Sequence, residues 1–228
     1  MIRYSRNGKW IFHFVLFFVF SRTDAQTFWR LTNEFPGGPK TSITLAADSC
    51  LYVGLINGIL RSCNEGDRFD FSLNSSAIFS LYTTRSGKVL AGGTGKIFRT
   101  NDLGQNWDSI SLNSIYPVVQ IIENLQGELF AITGGLDKDF QLNGDGMFYS
   151  KDTGDSWVQR NNGLGDFKSC ERIASDKNGR LYLGVADEDV TGQGGLFISE
   201  NKGLLWEHID ITVDGRGAIP DQIKITNT

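Results

Sequence analysis

Apolar and polar residues alternate with a period of two in short runs, and turn residues separate the runs. The first such group has runs at 42–47, 51–56, 59–62 and 69–73, with Asp48-Ser49 and the two-residue hairpin turn Asn57-Gly58 between them. A second group has runs at 78–83, 89–92, 97–100 and 107–110. The third has 118–122, 129–132 and, after a long loop, 147–150. The fourth has 172–174, 181–185 and, after a second loop, 196–199. No stretch carries helical periodicity. The pattern predicts an all-β chain of four antiparallel, four-stranded units at about 42–73, 77–110, 117–160 and 170–210.

One octet recurs at the same place in each unit, ahead of the last strand. Its rule is hydroxyl, any, Asp or Asn, any, Gly, any, any, aromatic. The copies are anchored by Ser62, Asn64, Gly66 and Phe69; Thr100, Asp102, Gly104 and Trp107; Ser150, Asp152, Gly154 and Trp157; and Ser199, Asn201, Gly203 and Trp206. Successive glycines are 38, 50 and 49 residues apart. That spacing marks a repeat architecture. The residue types suit a tight turn: the carboxylate or amide accepts nearby backbone N–H groups, glycine admits positive φ, and the aromatic opens the next strand.

This octet resembles the Asp-box, or BNR repeat, of sialidases, xyloglucan-cleaving enzymes, sortilin-type receptors and photosystem assembly factors. The resemblance spans roughly residues 43–210 and points to a secreted, bacterial-type member of that group. It implies a β-propeller in which the octet joins the third and fourth strands of each blade, away from the ligand-binding face. It does not imply an activity, because the same turn serves enzymes, receptors and assembly factors. Thr27-Phe28-Trp29-Arg30-Leu31 resembles a lone fourth strand, and residues 220–228 resemble the start of a further blade. About four blades with an extra strand at each end fit a partial propeller, a compact four-bladed ring or an open arc that pairs with another chain.

Residues 1–25 read as a signal peptide: Arg3, Arg6 and Lys9 precede an apolar run that ends in Thr23-Asp24-Ala25. The run is too short to span a bilayer, so the expected product is secreted or periplasmic, with no membrane span after cleavage. Removing it leaves 18 basic and 25 acidic residues, a balance that argues against nucleic acid as a partner. Of three cysteines, Cys50 and Cys63 fall at one end of the first unit, where either a disulfide or reduced thiols fit. No Cys-x-x-Cys pair or histidine pair suggests a metal site.

Candidate ligand contacts lie in the two long loops, which should emerge opposite the octets. They are Asp137, Asp139, Asn143 and Asp145 in the third unit and Asp187, Glu188 and Asp189 in the fourth. Three chemistries compete: a solvated acidic rim, a Ca²⁺ site, or an acid pair for glycoside cleavage. No cofactor is required, with calcium as the alternative. The segment Arg160-Asn161-Asn162-Gly163-Leu164-Gly165-Asp166-Phe167 is expected to wall a groove there. A sialidase would need an arginine triad, and Arg61, Arg99, Arg160, Arg172, Arg180 and Arg216 show no such grouping. No catalytic residue is carried over. The reading is a non-catalytic binding or scaffold module for a glycan or protein ligand, with a sialidase-like or xyloglucanase-like glycoside hydrolase as the alternative.

Overall fold

The computed structural model describes residues 39–47, 49–136, 141–166, 168–186, 194–210, 212–213 and 216–217. Residues 1–25, 27–31 and 220–228, with the leader and terminal strands expected there, lie outside the described residues, as do Asp137, Asp139, Asp187, Glu188 and Asp189.

The four repeats form four antiparallel sheets, each built from strands consecutive in the chain. The first comprises β1 (Lys40–Leu45), β2 (Leu51–Leu55), β3 (Gly58–Ser62) and β4 (Asp70–Asn74). The second comprises β5 (Ser80–Thr83), β6 (Val89–Gly92), β7 (Lys96–Thr100) and β8 (Asp108–Ser111). The third comprises β9 (Val118–Glu123), β10 (Leu129–Leu136), β11 (Leu142–Ser150) and β12 (Val158–Gln159). The fourth comprises β13 (Cys170–Ser175), β14 (Leu181–Val185), β15 (Gly195–Ser199) and β16 (Glu207–Ile209). A short hairpin, β17 (Thr212–Val213) with β18 (Arg216–Gly217), follows. No helix occurs among the described residues.

First strands stand side by side: β1 contacts β5, β5 contacts β9 and β9 contacts β13. Apolar layers fill the spaces between sheets. Tyr52 and Ile59 meet Ile78, Val89, Ala91 and Phe98 between the first and second sheets. Leu90 and Ile97 meet Ile121, Leu129, Ala131 and Phe148 between the second and third. Phe130, Ile132, Met147 and Tyr149 meet Ile173, Leu181, Leu183 and Phe197 between the third and fourth. The central strands of the second and third sheets therefore bury both faces, and most side chains of β2, β6, β10 and β14 are buried.

The octets close the β3–β4, β7–β8, β11–β12 and β15–β16 turns with one bonding scheme. The hydroxyls of Ser62, Thr100, Ser150 and Ser199 are all buried. Each donates to the Oδ1 two residues on, at 2.7–2.9 Å, and accepts the glycine N–H at 2.9–3.0 Å. The same Oδ1 accepts the N–H of Arg68, Asn106, Ser156 or Leu205 at 2.9–3.0 Å. This network holds not only each glycine but also the residue before it at positive φ: Glu65, Leu103, Thr153 and Lys202 lie at 55–61°. Trp107, Trp157 and Trp206 each pack against the sheet that precedes their own.

The first hairpin differs from expectation by one residue. Ile56 and Asn57 form the turn, and Gly58 already pairs with Leu55 as the first residue of β3. Gly58 sits at φ 136°, and a Cβ there would collide with the Leu73 carbonyl of β4. Close approach of β4, not the turn, is what requires this glycine. The shifted register sets Leu51 opposite Ser62, so the residues just beyond, Cys50 and Cys63, face one another. They form a disulfide that ties the start of β2 to the first octet. Cys170 remains a free, buried thiol, and burial pushes its pKa up.

Candidate ligand-binding face

Antiparallel pairing places the β2–β3, β6–β7, β10–β11 and β14–β15 connections at the opposite end of the sheets from the octets. The first two of these connections are tight. The third is a hairpin that runs well beyond its sheet, where the sequence suggested an irregular loop. Thr133 explains the difference. Its buried hydroxyl accepts the Asp145 N–H at 2.9 Å and donates to the Gly146 carbonyl at 3.2 Å, so pairing continues through a register shift to Leu136 opposite Leu142.

The hairpin is braced from three sides. Asn161 accepts the Met147 N–H at 2.9 Å and donates to the Asp145 carbonyl at 2.8 Å, which also accepts Gln159 Nε2 at 2.6 Å. Gly146 N–H donates to the Lys168 carbonyl at 3.0 Å, and Gly134 N–H donates to the Pro117 carbonyl at 3.2 Å. Glycine is needed for this fit. A Cβ at Gly134 or Gly144 would collide with the Cys170 or Lys168 carbonyl. The hairpin thus lies against the segment that enters the fourth sheet.

Of the seven candidate ligand contacts, two are described, and both ride on this hairpin. Asn143 is exposed, and its Oδ1 accepts the Gly144 N–H at 2.9 Å. Asp145 has its backbone engaged on both sides and is half-buried. Thr133, Gln159 and Asn161 were not singled out as contacts, because braces formed across strands leave no local sequence signature. The expected groove wall at 160–166 is not seen. Arg160 stacks 3.6 Å over the Tyr149 ring, its carbonyl accepts the Trp206 indole N–H at 3.0 Å, and the Asn162 carbonyl accepts the Trp206 backbone N–H at 2.8 Å. Leu164 is buried in the core between the third and fourth sheets. The segment is a brace beside the fourth octet, and Phe167 lies outside the described residues. Among the described residues, no three His, Cys, Asp or Glu side chains converge as a metal site would need. No helix long and apolar enough to cross a membrane occurs among them.

No family model matches the sequence, and no curated protein does. Solved structures do match. An ancestral GH74 enzyme superposes with a TM-score of 0.62 at 17% identity, covering 79% of this chain and 27% of that one. The GH74 xyloglucanase of Xanthomonas campestris superposes at 0.58 and 13%, covering 72% and 29%. A YCF48 protein with a bound peptide superposes at 0.51 and 17%, covering 78% and 55%. The chain thus spans under a third of the length of these GH74 enzymes and about half that of YCF48. At these identities the likeness establishes the fold, and with the four radially neighbouring sheets it makes this chain part of a β-propeller.

Proposed function

We propose that the chain is a secreted, non-catalytic binding or scaffold module of the Asp-box type, offering the loops of its third and fourth blades to a glycan or protein ligand. The observation that carries this reading is the braced β10–β11 hairpin. It holds Asn143 and Asp145 on a rigid ledge at the end of the blades away from the octets. Binding sites favour such fixed projections, because little conformational freedom is lost when a ligand docks. The β14–β15 connection, in whose sequence Asp187 and Asp189 fall, joins its strands at the same end of the neighbouring blade. Likeness to both glycan-cleaving enzymes and a peptide-bound protein supports a face suited to either ligand class. The Cys50–Cys63 disulfide supports an oxidising compartment, as does the basic-then-apolar start of the sequence.

The test is a binding screen of the purified chain against a glycan array and a peptide library, run beside fluorogenic sialosides and β-glucans. Binding that weakens in Asp145→Ala and Asp187→Ala supports the module. Turnover abolished by either substitution would overturn it in favour of a glycoside hydrolase. Calcium is decided separately, by whether Ca²⁺ raises the melting temperature and a chelator reverses the rise.

A further inference from the structure

The three junctions between the described blades share one apolar scheme, and the outer faces of the first and fourth of them carry its two halves. Call the side of a blade that meets the blade before it its front, and the other side its rear. On each front, the middle residue of the first strand packs inward. Ile121 and Ile173 are 3% and 2% exposed, and Leu81 packs into the same kind of layer. The matching residue of the first blade, Ile43, is 64% exposed, and Leu45 beside it is 63% exposed. They continue an apolar front of Leu51, Val53, Leu60 and Phe69, on which Lys40, Ile43, Leu51, Val53 and Phe69 line an open pocket of about 420 Å³. On each rear, Tyr52, Leu90 and Phe130 pair with Arg61, Arg99 and Tyr149 and are fully buried, as are Ile59, Ile97 and Met147. The matching rear residues of the fourth blade, Tyr182 and Leu196, remain half-buried.

Charge matches the faces too. At the second and third junctions the residue just before the second strand of a blade reaches the octet of the next blade, whereas in the first blade that residue is Cys50, bonded to Cys63. Lys88 bonds the Thr153 carbonyl at 3.0 Å and Asp155 at 3.3 Å. Glu128 bonds Lys202 at 2.7 Å. In the fourth blade that residue is Arg180. The octet positions of Thr153 or Lys202 and of Asp155 are held in the first octet by Glu65 and Asp67, two acids.

We propose that the open front of the first blade is the docking surface for the rear of the fourth blade of a second copy of this chain. Ile43, Leu45 and Phe69 seal against Tyr182 and Leu196, and Arg180 leaves its 3.2 Å pairing with Glu200 to meet Glu65 and Asp67. Such a contact is heterologous. Two copies that exchange it reciprocally close a ring, and copies that do not close it extend as a filament. The apolar layer supplies the affinity, and the charges fix which face meets which.

Sedimentation velocity of the purified chain over a range of concentrations tests this. The expected result is self-association that Leu45→Asp abolishes; at an exposed site this substitution leaves the fold intact. Arg180→Glu should raise the dissociation constant about tenfold or more. The pair Glu65→Arg and Asp67→Arg should do the same, and the triple variant should recover association. Association that ignores Leu45→Asp and Arg180→Glu, or that the triple variant fails to recover, overturns the proposal. A chain monomeric at every concentration overturns it as well. In that monomer, an intramolecular crosslink between Leu45→Cys and Leu196→Cys would assign the surface to ring closure within one copy.

Discussion

Three tryptophans occupy one position of the octet but differ in a single hydrogen bond, which makes them a controlled series. Trp107 lies edge-on to Tyr52, with ring centroids 6.3 Å apart, and its indole N–H donates to Ser72 Oγ at 3.0 Å. Ser72 in turn donates to the Gly104 carbonyl at 2.7 Å. Trp206 is 2% exposed, and its N–H donates to the Arg160 carbonyl at 3.0 Å. Trp157 Nε1 is buried and has no partner among the described residues. In the first blade Ser72 is the extra residue at the β3–β4 register shift, and the β7–β8 pair of the blade preceding Trp157 has no such shift. Replacing an indole by a phenyl removes apolar contact worth roughly 1 kcal/mol at each site. At Trp107 it also removes a hydrogen bond worth about 1 kcal/mol net. At Trp157 it removes an unsatisfied buried donor, a gain of about 1–3 kcal/mol that offsets the lost contact. Trp107→Phe should therefore destabilise by about 2 kcal/mol, while Trp157→Phe should be neutral or stabilising. Urea unfolding followed by far-UV circular dichroism reads the gap, provided the m-values agree. In melting temperature the gap is about 4–8 °C for a chain of this size. Equal losses at the two positions would show that the indole N–H plays no part in blade packing.

Three further outcomes follow from the same geometry. Reducing the Cys50–Cys63 disulfide, or replacing both cysteines by Ala, should cost about 3 kcal/mol for a loop of this length, read as a shift in urea midpoint with and without reductant; an unmoved midpoint refutes it. The Asp102 carboxyl is held at about 2 by the Asn106 backbone and side chain and by Thr100, and Asp152 at about 2 by Ser156 and Ser150 against the opposing pull of desolvation. Folded carboxyls that titrate below their unfolded values lend stability above about pH 4, and that stability drains away as pH falls toward 2. Asp102→Asn with Asp152→Asn should keep the turns, as Asn64 and Asn201 already do, and should flatten the pH dependence of the urea midpoint over that interval; an unchanged slope would mean these carboxyls are not coupled to folding. Gly144→Ala drives a Cβ into the Lys168 carbonyl and should cost about 1–3 kcal/mol, with faster amide exchange at Asp145 and Gly146; unaltered exchange would show that the ledge tolerates the side chain.

What the sequence made legible and what it hid separate along a physical line. The octets could be read because their chemistry is local. Ser150 Oγ, Asp152 Oδ1 and the N–H groups of Gly154 and Ser156 meet within a few residues, so the residue types themselves report the turn. The positive φ of Leu103 or Thr153 carries no such mark, because the surrounding bonds impose it on whatever side chain stands there. The register of the first hairpin was hidden for a different reason. Asn57-Gly58 has the composition of a turn, yet Gly58 answers to Leu73 on another strand. The β10–β11 extension was hidden in the same way: its glycine-rich run lacks alternation, and Thr133, Asn161 and Lys168 hold it from outside. For the candidate face, the sequence pointed to the end of the blades away from the octets, but not to the brace that holds Asn143 and Asp145 there.

This division extends into the octet itself. The bonds among the hydroxyl, the Asp or Asn and the glycine N–H close within one turn, so one solution serves all four copies, while the Gly104 and Gly154 carbonyls also accept Ser72 and Arg99 of the blade before. The intervening positions face the blade before: Arg61 bonds the Leu103 carbonyl, Arg99 bonds Asp155, and Arg160 bonds the Lys202 carbonyl at 2.8 Å. Where the contact runs to a backbone carbonyl, any residue will serve, and the sequence there is free to drift. Where it runs between charged side chains, as from Lys88 to Asp155 and from Glu128 to Lys202, the sign on one blade constrains the sign on the next. A repeat built only from its shared residues would let any blade stack on any other. The variable charges give the second and third junctions a preferred partner, and they do so at a surface cost small enough for a stable fold to carry.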